Sequence, residues 1–290
     1  MIPEVSDFGN LQPAIFEVSY CTMRERLDTL LVKRGLAESR EWAQRLIRAG
    51  EVRVAGQISD KPGARMAMDV EISLQAPERF VGRGGKKLEA ALARFELDVE
   101  GMAAADVGAS TGGFTDCLLQ RGARRVYAID SGYGQLAWRL RKDPRVMVME
   151  RTNARYLENL PEPVALVTAD VSFISLELIL PAAVSWLRPD GQALALIKPQ
   201  FEALRREVKP GGVVRDPAVH RRVLEQVLKA AAELGLGLQG LMPSPLRGPA
   251  GNVEFLSWWS LAEKAKEIER LIAVCLREVK KRGKNERHKS

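Results

Sequence analysis

Residues 103–116 read AAADVGASTGGFTD, and this stretch decides the fold. Its small apolar beginning predicts an inner strand of a parallel sheet that helices cover on both faces. The chain then turns at Gly108, Gly112 and Gly113 and resumes as a helix. Glycine lets a backbone approach a ligand closely, and a helix N-terminus offers unpaired N–H groups to polar or anionic ligand atoms. Strand, turn and helix together therefore predict a loop that binds a nucleotide or a nucleotide-like cofactor.

The spacing within this turn favours one class of cofactor over two others. A dinucleotide fingerprint requires GxGxxG, whereas residues 108–113 read GASTGG, and no P-loop lysine follows. The stretch instead resembles the first motif of S-adenosylmethionine methyltransferases, whose turn receives the methionine end of the cofactor. A tight turn that serves packing alone is the alternative. The resemblance implies cofactor contacts from Asp106, Gly108, Ser110, Gly112, Gly113 and Phe114.

Strand-like and helix-like segments alternate through the rest of this region, which predicts an α/β fold with a doubly wound, mainly parallel sheet. The expected elements are a strand ending at Asp106, a strand over 125–130, a helix over 133–141, strands over 146–150 and 164–170, a helix over 176–187, a strand over 193–197 and a helix over 220–234.

Polar residues occur where several of these strands end, at the sheet edge where α/β folds bind ligands. Asp130 follows the turn by about 20 residues and is placed to accept hydrogen bonds from a ribose diol. NAD and S-adenosylmethionine enzymes share that feature. Asn153 and Asp170 complete the predicted cofactor contacts. Any one of these residues alone could be a cap or turn residue.

Composition excludes several other chemistries. The chain has 290 residues, which favours one large domain plus a smaller one. Its three cysteines stand far apart, so they predict no disulfide framework and favour a reducing cytoplasm. Two histidines are too few for a histidine metal site or catalytic triad. The chemistry is expected to use carboxylates, lysines and a cofactor, without a metal.

The net charge of +7 is concentrated at the two ends. Residues 24–87 and 280–290 each carry a surplus of five positive charges, so the remainder is acidic by three. This distribution predicts that an accessory region contacts a polyanion, although a basic surplus also serves solubility. No run of 18 apolar residues is present, and we therefore expect no stable membrane association.

Residues 24–56 predict two helices followed by a strand. Ser39 is placed to cap the second helix, with Trp42, Leu46 and Ile47 on its inner face. The stretches RLDTLL, SREWAQRLIRAGEVRVAG and KPGARMAMDVEI resemble a small RNA-binding fold found in a small-ribosomal-subunit protein, tyrosyl-tRNA synthetases and pseudouridine synthases. The resemblance implies an α+β RNA-binding domain. The predicted RNA contacts are Arg40, Arg45, Arg48 and Arg83, with a merely solvated face as the alternative.

These patterns predict five segments. Residues 1–22 form a poorly ordered extension, 23–74 the RNA-binding domain, 75–81 a linker, 82–279 the catalytic domain and 280–290 a basic tail.

Six motifs occur in order along the chain, and one of them contains the glycine turn described above. They are RGGKKL, DVGASTGGFTD, AIDSGYGQL, TADVSFISL, LIKPQFE and GNVEFL. Together they resemble the TlyA branch of the FtsJ-type RNA 2′-O-methyltransferases, a family that also bears the label haemolysin. The resemblance implies a Rossmann-like S-adenosylmethionine-dependent methyltransferase that modifies the ribose of an rRNA cytidine, with ribosomal subunits as partners. It also implies a catalytic tetrad of Lys87, Asp170, Lys198 and Glu254. The first lysine is assigned to Lys87 because the family pattern places it immediately before leucine, with the adjacent Lys86 as the alternative.

The tetrad suits this reaction chemically. A ribose hydroxyl is a poor nucleophile, so it must be positioned and its proton removed. We assign Lys198 as the base or hydroxyl-orienting group, Asp170 and Glu254 as residues that hold the lysines, and Lys87 as a positioning group. A non-catalytic RNA-binding or ribosome-assembly factor, and a membrane-active haemolysin, are the alternatives.

Overall fold

The computed structural model describes residues 24–74 and 79–287. The predicted extension over 1–22, most of the predicted linker and the last three residues of the basic tail lie outside the described residues. The chain divides into two compact units, Met1–Pro77 and Glu78–Ser290. We call them the N-terminal unit and the C-terminal unit.

The N-terminal unit is a small α+β domain. Its core consists of apolar side chains from the two helices and from the strand that follows them, including Leu27, Leu31, Ala43, Ile47 and Val52. Ser39 Oγ accepts a hydrogen bond from Trp42 N (3.1 Å), which confirms the predicted cap. The elements are β1 (Arg24–Arg26), α1 (Leu27–Lys33), α2 (Arg40–Arg48), β2 (Val52–Val54), β3 (Gln57–Ile58), β4 (Arg65–Ala67) and β5 (Ile72–Leu74).

Trp42 does not face inward, contrary to the prediction. Its side chain is 43% exposed, whereas Ala43 and Ile47 are fully buried. Residues four apart share one face of a helix, so Ala43 and Ile47 define the inner face and turn Trp42 toward solvent. The Arg45 guanidinium lies 4.6 Å from the Trp42 ring centroid. An aromatic ring and a cation therefore share the surface of α2.

A buried carboxylate, Asp28, organises the helices of this unit. It accepts hydrogen bonds from Arg26 Nη2 (2.8 Å), Arg40 Nε (3.1 Å) and Gln44 Nε2 (2.9 Å). The Arg26 hydrogen bond, supported by Gln44 and Arg40, holds the pKa of Asp28 well below its usual range despite burial. Arg40 therefore stabilises the fold through Asp28, which separates it from Arg45 and Arg48.

The C-terminal unit is built on a seven-stranded sheet. The elements are α3 (Arg83–Phe95), β6 (Ala103–Val107), α4 (Gly113–Gln120), β7 (Arg125–Ile129), α5 (Trp138–Arg141), β8 (Val146–Met149), β9 (Val164–Ala169), α6 (Leu180–Ser185), β10 (Leu187–Ile197), α7 (Pro199–Glu202), α8 (Pro217–Glu233), β11 (Gly237–Pro243), β12 (Phe255–Ser260) and α9 (Ile268–Arg287). The strand order of the sheet is β11-β12-β10-β9-β6-β7-β8, with β6 to β10 parallel and β12 antiparallel to both of its neighbours.

Helices cover both faces of this sheet, as predicted. Side chains of α3 and α4 pack on one face with Ala104, and side chains of α6, α8 and α9 pack on the other with Ala103 and Ala105. The chain leaves β6 first toward β7 and later returns on its other side at β9. That reversal creates a switch point between β6 and β9, where sheets of this kind bind ligands.

Three elements differ from their predicted bounds. The helix expected over 133–141 begins only at Trp138, because the preceding loop is held in a non-helical path by Gly134, whose N–H bonds Glu150 Oε1 (3.0 Å). The helix expected over 176–187 is a 3₁₀ turn followed by α6. The strand expected from Ala193 begins at Leu187, with an irregularity before Gln192 that obscures it in the sequence.

The structure continues without a break past both predicted limits of the catalytic domain, residues 82 and 279. Phe80, assigned to the linker, is 2% exposed and packs in the core with α3 and α4. Helix α9 continues past residue 279 to Arg287, so the basic tail begins as helix. In the described residues, no helix is long and apolar enough to cross a membrane.

Candidate functional site

Two adjoining cavities lie at the switch point. The larger, of about 520 Å³, is lined by Gly108, Ser110, Asp130, Asn153 and Asp170 among others. The smaller, of about 200 Å³, adds Gly84, Gly113, Phe114 and Lys198 and shares Gly108, Ser110, Asp170 and Ser172 with the first. A ligand with a nucleoside at one end and an amino acid at the other fits such a pair.

Close backbone packing fixes the shape of the glycine turn. Gly108 has φ +79°, and a Cβ there would lie 2.7 Å from Asp170 O, so no other residue fits. Ser110 also adopts a left-handed conformation (φ +49°), and its N–H donates to Asp130 Oδ2 (2.7 Å). The serine that replaces the second glycine of a dinucleotide fingerprint is thus held by the acid at the end of β7.

Asp130 both holds this turn and lines the larger cavity. Its second oxygen, Oδ1, accepts a hydrogen bond from Gly132 N (2.7 Å). A carboxylate has about four acceptor sites, so two backbone donors leave capacity for a ribose diol.

Asp106 does not line either cavity, and its role as a cofactor contact stays a prediction. It is fully buried, and its Oδ2 accepts from Thr115 N (2.9 Å) and Thr115 Oγ1 (2.7 Å) while Thr168 Oγ1 lies 3.1 Å from Oδ1. The carboxylate ties the start of α4 to the sheet beneath the turn. Gly112 is likewise absent from both linings, because it packs against Leu136 and Leu140.

Burial raises the pKa of Asp106 to about 6 from its ordinary 3.8. As pH rises from about 4 to 6, the Asp106 carboxyl group loses its proton in the unfolded chain before it does so in the folded chain. The contribution of Asp106 to the free energy of unfolding is therefore present below about pH 4 and is lost as pH rises through 6. We expect the unfolding free energy of the wild type, relative to Asp106→Asn, to fall by on the order of 2–3 kcal/mol between about pH 4 and pH 7. Urea unfolding at both pH values measures this difference. A difference that does not change with pH would show that Asp106 titrates normally.

The first pair of the predicted tetrad meets at the junction of the cavities. Lys198 Nζ lies 2.7 Å from Asp170 Oδ1 and donates to Ser172 Oγ (2.8 Å). Lys198 is 8% exposed, since the strand and Pro199 that flank it are buried. Its ammonium group is therefore fixed in a largely desolvated position that faces the smaller cavity.

The second pair joins residues from distant parts of the chain. Lys87 Nζ donates to Glu254 Oε2 (2.6 Å), and both side chains are buried. Helix α3 reaches this position because its glycines pack backbone to backbone on α4: a Cβ on Gly113 would lie 2.9 Å from Gly85 N. Gln200 Nε2 lies 3.5 Å from Glu254 Oε1, which joins this pair to the loop after Lys198. The structure therefore brings all four predicted residues to one edge of the sheet.

Three further residues at this edge were not predicted. Ser172 Oγ accepts a hydrogen bond from Lys198 Nζ. The Phe173 side chain is 90% exposed, and its backbone has a φ of +63°. The centroid of its ring lies 5.0 Å from that of Phe201. Glu202 is buried and accepts from Ser175 Oγ (2.6 Å) and Leu176 N (2.9 Å), and burial raises its pKa. All three lie in the motifs TADVSFISL and LIKPQFE, and membership of these motifs is the sequence signal that could have identified them. Only the folded chain shows that Glu202 holds the loop that carries Phe173.

The predicted RNA contacts fall on both units. Arg45 and Arg48 are exposed on α2. Arg83 is exposed at the start of α3, and its Nη2 donates to Arg247 O (3.0 Å). These three arginines stay predictions, whereas Arg40 is engaged by Asp28.

The doubly wound sheet, the glycine turn at its switch point and the adjoining lysine–carboxylate pairs define a Rossmann-like methyltransferase. Residues 80–261 match the FtsJ-like methyltransferase family and residues 25–69 match the S4 domain. The chain belongs to the FtsJ-like methyltransferase family, in the TlyA branch that carries an N-terminal S4 domain, which confirms the predicted resemblance.

Known relatives span nearly the same architecture. The protein named 16S/23S rRNA (cytidine-2′-O)-methyltransferase TlyA from Mycobacterium tuberculosis is 48% identical over 81% of this chain and 89% of its own length. Hemolysin A of Brachyspira hyodysenteriae is 38% identical over 80% of this chain and 98% of its own. A solved structure from Streptococcus thermophilus that bears a hemolysin label is 44% identical, with a TM-score of 0.68, and covers 91% of this chain and 99% of that one.

Proposed function

We propose that this protein transfers a methyl group from S-adenosylmethionine to the 2′-hydroxyl of a cytidine ribose in ribosomal RNA. The observation that carries the proposal is the position of Lys198, which lines the smaller cavity and is held by Asp170 and Ser172, two residues that line both cavities. The name of the M. tuberculosis relative supports the choice of cytidine and rRNA.

The residues that line the cavities suit the cofactor. We assign the nucleoside end to the larger cavity, with Asp130 accepting from the ribose diol and Asn153 beside it. The methionine end would lie in the smaller cavity against Gly113 and Phe114 at the start of α4. When bound, S-adenosylmethionine supplies an activated methyl group, and the protein supplies orientation and proton handling.

The chain's own part in the reaction is to position and deprotonate the ribose hydroxyl. Lys198 either orients the hydroxyl as an ammonium group or, after it has released a proton to solvent and is the neutral amine, receives the hydroxyl proton. Asp170 with Ser172 fixes the direction of Lys198. The Lys87 and Glu254 pair borders the same edge and holds a positive charge near the attacking oxygen.

Phe173 supplies an aromatic surface for the substrate. Its exposed ring lines the larger cavity and packs against the Phe201 ring, with the ring centroids 5.0 Å apart and the planes tilted by 47°. Nucleobases stack on such rings, at roughly 1–3 kcal/mol per base. We therefore assign Phe173 to contact the base of the modified nucleotide or its neighbour.

Mapping 2′-O-methylated nucleotides in rRNA, with and without the purified protein and S-adenosylmethionine, tests the proposal. One new 2′-O-methylcytidine is the expected result. An unmodified rRNA together with measurable S-adenosylmethionine binding would contradict the substrate, and no cofactor binding would favour a non-catalytic RNA-binding factor.

The exposed face of α2 is expected to supply RNA affinity through phosphates. Replacing Arg45 and Arg48 with alanine should weaken rRNA binding and lower the slope of log Kd against log salt by roughly one to two, because each neutralised phosphate contributes about 0.7–0.9. Arg40 is left in place because its loss would remove one of the three side chains that donate to the buried Asp28 carboxylate. Filter binding at several salt concentrations measures the effect, with Lys229→Ala/Lys264→Ala in the C-terminal unit as the charge-matched control. Equal slopes for the two double variants would show that this face is only solvated.

A further inference from the structure

A third, larger groove lies on the C-terminal unit, and none of its lining residues lines the two cofactor cavities. It encloses about 920 Å³ between the start of α8, the loop over 247–253 and one face of α9. Its lining includes the apolar side chains Val214, Val253, Leu276 and Val279. The mechanism assigned above makes no use of this groove.

The charge of this groove is one-sided. Five cationic residues line it, and no aspartate or glutamate does: Arg215, Arg221, Arg247, Arg277 and Lys280. Arg221 has carboxylate partners in Glu225 and Glu269. Within residues 24–74 and 79–283, no carboxylate lies within ion-pair distance of Arg215, Arg277 or Lys280. Like charges placed together without counterions favour an anionic ligand.

Hydrogen bonds hold the walls of the groove in place. Asn252 is 2% exposed, its Oδ1 accepts from Val214 N (2.9 Å) and its Nδ2 donates to Gly212 O (2.7 Å). On the opposite wall, Arg282 Nη1 donates to Ser244 O (3.0 Å) and ties α9 to the end of β11. A groove that is formed before its ligand arrives loses little free energy to ordering.

The groove shares a wall with the catalytic edge. The segment that carries Glu254 also carries Asn252 and Val253, and Arg247 O accepts the hydrogen bond from Arg83. Arg277 and Lys280 are three residues apart on α9. This spacing puts them on the same face of the helix, with their Cβ atoms roughly 5–6 Å apart. Cations at that spacing can contact successive backbone phosphates of one strand.

We propose that this groove binds the sugar–phosphate backbone of the RNA that flanks the methylated nucleotide. The proposal rests on the function proposed above, since that function brings an RNA strand to the adjoining edge. The cations contact phosphates, and the apolar floor of Val214, Val253 and Leu276 contacts the sugars.

The test compares two triple variants of the full chain. Arg215→Ala/Arg277→Ala/Lys280→Ala removes the unpaired cations of the groove, and Lys229→Ala/Lys264→Ala/Arg270→Ala removes the same charge from exposed positions outside it. For protein-free rRNA we expect the groove variant to bind about tenfold more weakly near physiological salt, with a salt slope smaller by roughly two. Its kcat should match that of the wild type while its KM for RNA rises, and S-adenosylmethionine affinity should stay unchanged. The control should match the wild type in all four quantities.

Equal Kd and salt slope for the groove variant and the control would overturn the proposal, whether or not methylation is observed. Loss of methylation on whole ribosomal subunits with unchanged binding to protein-free rRNA would assign the groove to a ribosomal protein and also overturn it. A wild type that leaves rRNA unmethylated would contradict the proposed function, but the binding comparison would still decide the groove.

Discussion

Lys198→Ala should abolish methyl transfer while leaving rRNA binding nearly intact. Among the described residues, the Lys198 ammonium group contacts Asp170, Ser172 and the ring of Phe201, all at one edge of the sheet, so its removal leaves the exposed arginines of α2 in place. Assistance by a positioned acid or base is typically worth ~100-fold or more, and its loss appears in kcat because it acts in the transition state. Single-turnover methylation of rRNA with saturating cofactor measures it.

Lys198→Arg separates the two roles left open for this residue. Arginine keeps the positive charge and can donate to Asp170, but it does not deprotonate in proteins. The Lys198→Arg variant should lose methyl transfer if Lys198 receives the hydroxyl proton. It should keep methyl transfer if Lys198 only orients the hydroxyl oxygen. Near-wild-type rates in Lys198→Ala would refute the tetrad assignment.

Breaking the buried pair of Lys87 and Glu254 should cost both stability and activity. Glu254→Leu leaves the Lys87 ammonium group buried without its 2.6 Å partner, and Lys87→Met does the converse. Removal of one member of such a pair typically destabilises by about 3–5 kcal/mol. Urea unfolding should show this loss for each single variant, and methylation should be lost in both. Lys86→Met, at the exposed neighbouring position, is the matched control and should keep wild-type stability and rate.

The double variant Lys87→Met/Glu254→Leu decides whether the pair is structural or catalytic. Apolar side chains of similar volume often restore the stability of a buried ion pair, so the unfolding free energy should recover most of the loss. Methylation should stay absent, because the positive charge that Lys87 holds near the attacking oxygen is then missing while Lys198 and Asp170 remain. A stable double variant that methylates at the wild-type rate would reduce the pair to a packing element.

Much of the fold and of the site could be predicted because local patterns report them directly. The small apolar run before Gly108 identified β6, and the strand ends identified Asp130, Asp170 and Lys198, since strand direction alone brings such ends to one edge. The bounds of α5 and α6 were less accurate. Their periodicity is helical, but Gly134 and the loop that Glu202 holds interrupt it through tertiary contacts.

By itself, the sequence determined an α/β fold with a cofactor turn and an RNA-binding module. The resemblance of its motifs to a known family added the methyltransferase class and the set of two lysines and two carboxylates. Residue types, spacing and periodicity are properties of neighbours along the chain, so they survive without coordinates. Only the tertiary structure decided how those residues are used. Lys87 meets Glu254 across 167 positions because glycines let α3 and α4 touch, whereas Asp106 faces Thr115 and Trp42 faces solvent. The direction of a side chain is set by packing against distant segments, and no local pattern encodes it.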